Sequence, residues 1–306
     1  MKVLILGGCG FIGSHAVDRF IRGNWDIVVL DRRPEKYRDP LPGVQYIFDD
    51  FSNKVLMGEI LAKGIDVVVH VASSVLPSVS NLDPQFDVQS NLLETLALLE
   101  GCVKHKVRKV LFASSGGTVY GKSKYSPMDE THPTDPLCSY GVVKLSIEKY
   151  LQMFSNLYGL GFAALRMSNP YGPRQDPNSS QGAVAVFLRK VALREKLEIW
   201  GDGGVVRDFV YVEDIAELFF RAANSTINGV FNAGSNIGVR IIDLIDHIGA
   251  AVGVKPKIEF LPARDFDVPS NVLDCTRAKT QLSWSPQISL QDGLMRAEKW
   301  QRTHLS

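Results

Sequence analysis

The sequence predicts an α/β protein: a doubly wound parallel sheet with a smaller C-terminal domain. Over roughly the first 168 residues, short apolar runs alternate with longer amphipathic stretches. These runs are continuous Val/Ile/Leu segments, as in strands buried on both faces, and strand–helix alternation implies right-handed crossovers in a parallel sheet. After residue 168 the rhythm loosens at "NPYGPRQDPNSSQG", a composition shift that marks a second unit. Strands are expected at 2–6, 27–30, 44–48, 66–71, 107–113 and 161–166, with helices near 11–23, 53–63, 85–104 and 138–158. Beyond the loop come a helix near 182–195 and two short strands, 197–200 and 207–211, joined by a turn at "GDGG". The expected domains are 1–168, with a returning segment at about 208–238, and 169–207 together with 239–306.

Composition narrows the partners. The chain has 306 residues, 45% of them hydrophobic, enough for a sizeable core. Its 34 basic and 33 acidic residues leave no excess charge to grip a nucleic acid or an anionic membrane, though local arginines can still hold one small anion. Cys9, Cys102, Cys138 and Cys275 lie far apart with no ligand spacing, and the six histidines are scattered, which points to a reducing cytoplasm and no structural metal. The start "MKVLILGGCGFIG" has the look of a short signal sequence, but His15 and Asp18 fall where a cleavage site belongs, so it is read as the first strand.

"GGCGFIG" puts Gly7, Gly10 and Gly13 after that strand and at the entry of the first helix. There, backbone amides and the helix dipole can meet a pyrophosphate with no Cβ in the way. A tightly packed strand-to-helix turn would use the same glycines, but the position at the chain start and Asp31 at the end of the second strand favour a nucleotide. A carboxylate there accepts from ribose hydroxyls and repels a 2′-phosphate, favouring NAD over NADP, although Arg32 and Arg33 blunt that preference. Asp50 either contacts the adenine or caps the helix at 53–63.

Tyr140 and Lys144 sit one helical turn apart in "SYGVVK", downstream of a strand ending in the hydroxyls of "ASSGGTVYG". A nearby ammonium favours phenolate, and the positive ring of an oxidised nicotinamide would favour it further, moving a phenol of ordinary pKa about 10 toward neutrality and making it a usable base. His70 reads as structural, and Trp200 and Phe209 either touch a base or belong to the core.

These motifs, with "HVAS", "PLCSYGVVK", "RMSNPYGPRQ", "GDGGVVRDFVYVEDI" and "RDFD", resemble the extended short-chain dehydrogenase/reductases, specifically the nucleotide-sugar epimerases and dehydratases around UDP-glucose 4-epimerase. The resemblance spans nearly the whole chain. It implies a Rossmann-like fold with a substrate-binding domain, and bound NAD held by Gly7, Gly10, Phe11, Ile12, Gly13, Asp31, Asp50, Phe51, Ala72 and Asn91. It also implies that Tyr140 is the base at the sugar O4 and that Lys144 binds the ribose and tunes the tyrosine. Arg207, Arg264 and Asn169 would hold the substrate diphosphate; otherwise the two arginines pair with Asp208 and Asp267. Asn271 falls where 4-epimerases line the sugar C2 side, and a homodimer through the helices near 85–104 and 138–158 is implied as well.

One departure stands out. The family usually carries Ser or Thr three residues before the Val of "VYG", and here that residue is Gly116, so Ser115 or Thr118 is expected to serve in its place. Dehydratases of the family carry an Asp-Glu pair just before "VYG"; Gly117 and Thr118 here favour epimerisation at C4 of a UDP-hexose or UDP-N-acetylhexosamine. A nucleotide-sugar 4-ketoreductase or dehydrogenase, and a non-catalytic NAD-binding sensor, are the alternatives.

Overall fold

The computed structural model describes residues 1–179, 182–263 and 268–304. The chain starts with β1 (Lys2–Leu6), α1 (Phe11–Arg22), β2 (Asp26–Asp31), β3 (Val44–Phe48), α2 (Lys54–Leu61) and β4 (Val67–His70). α3 (Pro84–Asp87), a π turn (Val88–Leu93), α4 (Glu94–Lys104), β5 (Lys109–Ser115), α5 (Ser139–Tyr158) and β6 (Gly161–Met167) follow. Next come β7 (Asn169–Tyr171), α6 (Ala183–Ala192), β8 (Lys196–Trp200), β9 (Val206–Tyr211), α7 (Val212–Asn224) and β10 (Gly229–Ala233). The chain closes with β11 (Gly238–Arg240), α8 (Ile241–Val252), β12 (Lys257–Leu261), β13 (Ser270–Asn271), α9 (Thr276–Leu282) and α10 (Leu290–His304).

Seven strands form one parallel sheet in the order β10-β6-β5-β4-β1-β2-β3. Val3, Leu4, Ile5 and Leu6 are wholly buried because each face of the sheet is covered. α1 and α7 pack on one side, and α2, α4 and α5 on the other. Strand order reverses between β1 and β4, the switch point where ligands of such sheets bind. After β6 the chain builds a second core from α6, α8, α10, β8 and β9, and a small sheet in which β9 pairs with β7, β11 and β13. It returns to the large sheet with α7 and β10.

Three elements differ from the sequence expectation. The helix expected near 85–104 is present over 84–104, but it carries a π turn that the sequence does not signal. There Asn91 turns its amide inward to Ser74 N (3.0 Å) and Asp87 (3.0 Å), and Thr95 donates back to the Asn91 carbonyl, a pattern that helical periodicity cannot show. β5 runs on to Ser115, because Ser114 and Ser115 still pair with Arg166 and Met167. The strands at 197–200 and 207–211 do not pair with each other. Left-handed glycines, Gly201 (φ 72°) and Gly203 (φ 75°), turn the chain between two sheets, and β8 pairs in parallel with β12.

Candidate active site

The glycine turn has the shape of a nucleotide cradle. Gly7 has φ 79°, and a Cβ on it would lie 2.9 Å from the backbone of Ala72; one on Gly13 would lie 2.0 Å from the Gly7 carbonyl oxygen. No other residue fits at either position, and α1 thereby begins with its amides free of side chains. Asp31 Oδ2 accepts from Cys9 N at 2.9 Å, so the carboxylate at the end of β2 is fixed against this turn. Gly7, Gly10, Asp31, Asp50, Phe51 and Ala72 line one cavity of about 210 Å³. Asp50 is not the cap of α2: Asn53 accepts from Leu56 N in that role, while Asp50 accepts from Ser52 N (2.9 Å) and faces Arg32 at 4.0 Å. Asn91 lies behind this wall and holds the loop after β4 through Ser74. An adenosine and its diphosphate fit this arrangement of carboxylate, open amides and missing Cβ atoms.

Phe11 and Ile12 lead from the cradle into a larger cleft of about 780 Å³, between the large sheet and the second unit. Tyr140, Ser115, Thr118, Asn169, Arg207 and Asn271 all line it, so six residues scattered over the sequence converge. Arg264 lies outside the described residues. Lys144 points under Tyr140: its Nζ donates to the Ala113 carbonyl (2.9 Å) and sits 5.3 Å from the Tyr140 ring centre and 4.6 Å from that of Phe112. Burial pulls Lys144 down to about 8, with Asp87 and Glu148 opposing. Burial, then the charges of Asp87 and Cys138, holds the Tyr140 phenol above its ordinary value.

The hydroxyls separate by partner. Ser114 donates to Glu148, which a bidentate Arg166 also grips (2.7 and 3.0 Å), so this serine is structural. Ser115 lines the cleft, and the Thr118 hydroxyl is buried with no partner among the described residues. Gly116 points the other way. A Cβ there would lie 2.6 Å from Leu273 Cδ1 and 3.2 Å from the Arg166 carbonyl oxygen, so a side chain at 116 would enter the core and miss the cleft.

In the second unit, Asn169 Nδ2 donates to the Asp208 carbonyl (2.8 Å), and Arg207 Nη1 donates to the carbonyls of Val206 (2.9 Å) and Val268 (2.8 Å). Asp208 is buried and held by Ser168, Ser235 and Leu273 N. Phe209 and Trp200 both line the cleft, the first buried and the second exposed. His70 is structural, its Nε2 3.0 Å from Thr95 Oγ1 and its pKa pulled by burial to about 3.

Sequence reading missed a closed cluster of ion pairs beside the cradle. Arg174 donates to Asp18 (2.7 Å) and approaches Glu35 (3.6 Å), and Arg38 contacts the same two acids, so α1, the loop after β2 and the loop after β7 are bound together. Arg174 holds φ 66°, a left-handed conformation uncommon for arginine. The only sequence signal was its place in "GPRQ". Among the described residues no three His, Cys, Asp or Glu are grouped to hold a metal, and no helix is long and apolar enough to cross a membrane.

A nucleotide cradle at a switch point, opening into a cleft with a tyrosine and a buried lysine, defines a dinucleotide-dependent enzyme with an adjoining substrate site. The model of the NAD dependent epimerase/dehydratase family matches residues 3–234, and the chain belongs to that family. It is 34% identical over 309 residues to the UDP-glucose 4-epimerase of Mycolicibacterium smegmatis, with 99% of each chain covered. A crystal structure of a UDP-glucose 4-epimerase with UDP-glucose from Thermotoga maritima has a TM-score of 0.96 at 35% identity, covering 100% of both chains. A UDP-glucose 4-epimerase from Thermus thermophilus in complex with NAD has a TM-score of 0.92 at 33% identity, covering 99% of each. The cofactor is NAD.

Proposed function

We propose that this chain is an NAD-dependent nucleotide-sugar 4-epimerase acting on a UDP-hexose or UDP-N-acetylhexosamine. The observation that carries the reading is the composition of the turn beside Tyr140: Ser115, Gly117 and Thr118 line the same cleft, which gives it two hydroxyl residues and no carboxylate for elimination. When bound, NAD supplies the hydride acceptor and donor for sugar C4. Gly7, Gly10, Gly13, Phe11 and Ile12 hold its diphosphate side, and Asp31, Asp50, Phe51 and Ala72 its adenosine side, with Asn91 bracing the loop behind. Tyr140 takes the O4 proton and later returns it, and the Ser115 or Thr118 hydroxyl orients O4 for that exchange. Lys144 sits beneath Tyr140, where its ammonium would favour the phenolate and would hold the cofactor ribose. Arg207 and Asn169, with Arg264, would clamp the substrate diphosphate and leave the sugar free to turn over in the cleft.

Exposed apolar side chains Phe86, Leu93, Val142, Met153 and Leu157 on the segment from α3 to α4 and on α5 support a homodimer through those helices. We place the reaction in the cytoplasm, consistent with four free cysteines. The test is incubation of the purified protein with UDP-, dTDP- and GDP-sugars without added cofactor, followed by NMR. An isomer of equal mass is the expected product. Loss of water, or turnover only with added NADH or NADPH, refutes the assignment.

A further inference from the structure

Asp87 closes α3 and is wholly buried, yet no cation among the described residues pairs with it. Its carboxylate accepts two hydrogen bonds, both from neutral groups: Asn91 Nδ2 at 3.0 Å and Ser139 Oγ at 2.8 Å. Asn91 commits its amide oxygen to Ser74 N in the wall of the nucleotide cavity, and Ser139 is the first residue of α5, directly before Tyr140. The carboxylate thus ties the cofactor wall to the turn that carries the tyrosine. A complementary imbalance lies one turn along α5. Lys144 is buried, and its Nζ donates to a neutral group, the Ala113 carbonyl, with no carboxylate at ion-pair distance among the described residues. The other groups that face it are already satisfied. Glu148 is matched by bidentate Arg166 (2.7 and 3.0 Å) and takes the Ser114 hydroxyl, and His70 on β4 is neutral, held at about 3 by burial and then by the Lys144 charge. Buried charges need opposite charge nearby, which leaves Asp87 and Lys144 to compensate each other. The field of Asp87 reaches both members of the pair: it opposes the desolvation of Lys144 and, after burial and ahead of Cys138, holds the Tyr140 phenol up.

We propose that Asp87 is a positioning residue for Tyr140 and Lys144, with two separable parts: its hydrogen bonds seat the first turn of α5 against the cofactor wall, and its carboxylate is the counter-charge that keeps the buried lysine an ammonium. Asp87 lines neither cavity, so it acts only through its neighbours. The two effects of its charge oppose each other at the tyrosine. An anion at 87 supports the ammonium that favours phenolate, and the same anion repels the phenolate directly. Removing it lowers the proton affinity of both groups, so the pH window in which the pair works moves as a whole to lower pH. The turnover side of this inference rests on the nucleotide-sugar reading above.

Asp87→Asn separates the two parts. Its amide oxygen still accepts from Asn91, and its amide nitrogen donates to Ser139, whose hydroxyl turns to accept, so the bonds remain and the charge is gone. The holoenzyme with bound NAD is assayed for kcat and KM with UDP-glucose and UDP-N-acetylglucosamine across pH. In Asp87→Asn both limbs of the kcat profile move down by about one pH unit, while maximal kcat and KM stay within several-fold of wild type. Ser139→Ala keeps the charge and loses one bond, so maximal kcat falls about tenfold with the limbs in place. A second measurement needs no turnover: urea unfolding at about pH 6, below the folded-state value of about 8 for Lys144, compares Lys144→Met in the wild-type and Asp87→Asn backgrounds. An ammonium without its counter-charge is costlier, so Lys144→Met stabilises the Asp87→Asn background more, by about tenfold in the unfolding equilibrium constant. Should Asp87→Asn alone fail to fold, the double variant with Lys144→Met must fold. Limbs that stay in place or move up in Asp87→Asn, equal stabilisation by Lys144→Met in the two backgrounds, or a double variant that does not fold overturns the proposal. Failure of the underlying reading shows differently, as a wild type that turns over no nucleotide sugar, and the unfolding comparison then decides the charge pairing by itself.

Discussion

Gly116→Ser would restore the hydroxyl that the sequence motif lacks, and the structure predicts that it damages the enzyme. The new Cβ would lie 2.6 Å from Leu273 Cδ1, about 0.8 Å inside ordinary contact, and 3.2 Å from the Arg166 carbonyl oxygen. Leu273 has nowhere to go, being wholly buried in the core beneath the large sheet. Overpacking of this kind costs about 1–3 kcal/mol. If the strain is relieved by moving the turn, Ser115 and Thr118 move by a comparable distance, and a misplacement of about 1 Å costs on the order of 10²-fold in turnover. Urea unfolding and epimerisation of a UDP-hexose, measured on the same preparations, read the two effects. Leu273→Val removes the offending Cδ1, so the double variant should recover about 1 kcal/mol relative to the sum of the single effects. A Gly116→Ser protein as stable as wild type and faster in turnover would refute the steric reasoning, because its hydroxyl would have to reach the cleft.

Three further outcomes follow from the same geometry. Ser115→Ala or Thr118→Ala should lower kcat about 10²-fold with substrate affinity little changed; full turnover by both variants would remove the assigned role. Lys144→Met should abolish turnover yet stabilise the fold at pH 7. Burial lowers Lys144 from 10.5 to about 8, so the cost of its ammonium is present in full below pH 8 and disappears as pH rises to the unfolded value. That cost is on the order of 3 kcal/mol, reduced by about 1 kcal/mol for the Ala113 carbonyl left without its donor. Urea unfolding at pH 7 and pH 10 should show the gain shrinking at the higher pH, and a gain independent of pH would count against it. Arg174→Gln should speed NAD release several-fold and lower stability by about 1–3 kcal/mol, because it leaves Asp18 and Glu35 short of a cation; fluorescence of NADH displaced by dilution measures the first.

What the sequence made legible was whatever is written in consecutive residues. The large sheet announced itself because strands buried on both faces must be apolar throughout. The cradle did so because close backbone approach requires glycine, and Tyr140 with Lys144 because a helix brings residues four apart together. The π turn inside the helix at 85–104 was not legible for the opposite reason: it coincides with Asn91 reaching across to Ser74, a contact with no periodic signature. The same holds for β8, whose partner β12 lies beyond two helices in the chain, and for Arg174, whose acids sit on α1 and in the loop after β2.

Gly116 shows how these two kinds of information combine. From the motif alone its missing side chain looks like the loss of a catalytic hydroxyl. In the fold, a Cβ at 116 would crowd the Leu273 side chain and the Arg166 carbonyl oxygen, so a side chain there is opposed by the packing of this strand end. Leu273 lies two residues beyond Asn271, whose amide holds the Gly116 carbonyl. The segment that crowds a side chain at 116 therefore also holds the turn between Ser115 and Thr118. The glycine suits that packing, and the hydroxyl function proposed above falls to its neighbours on the turn.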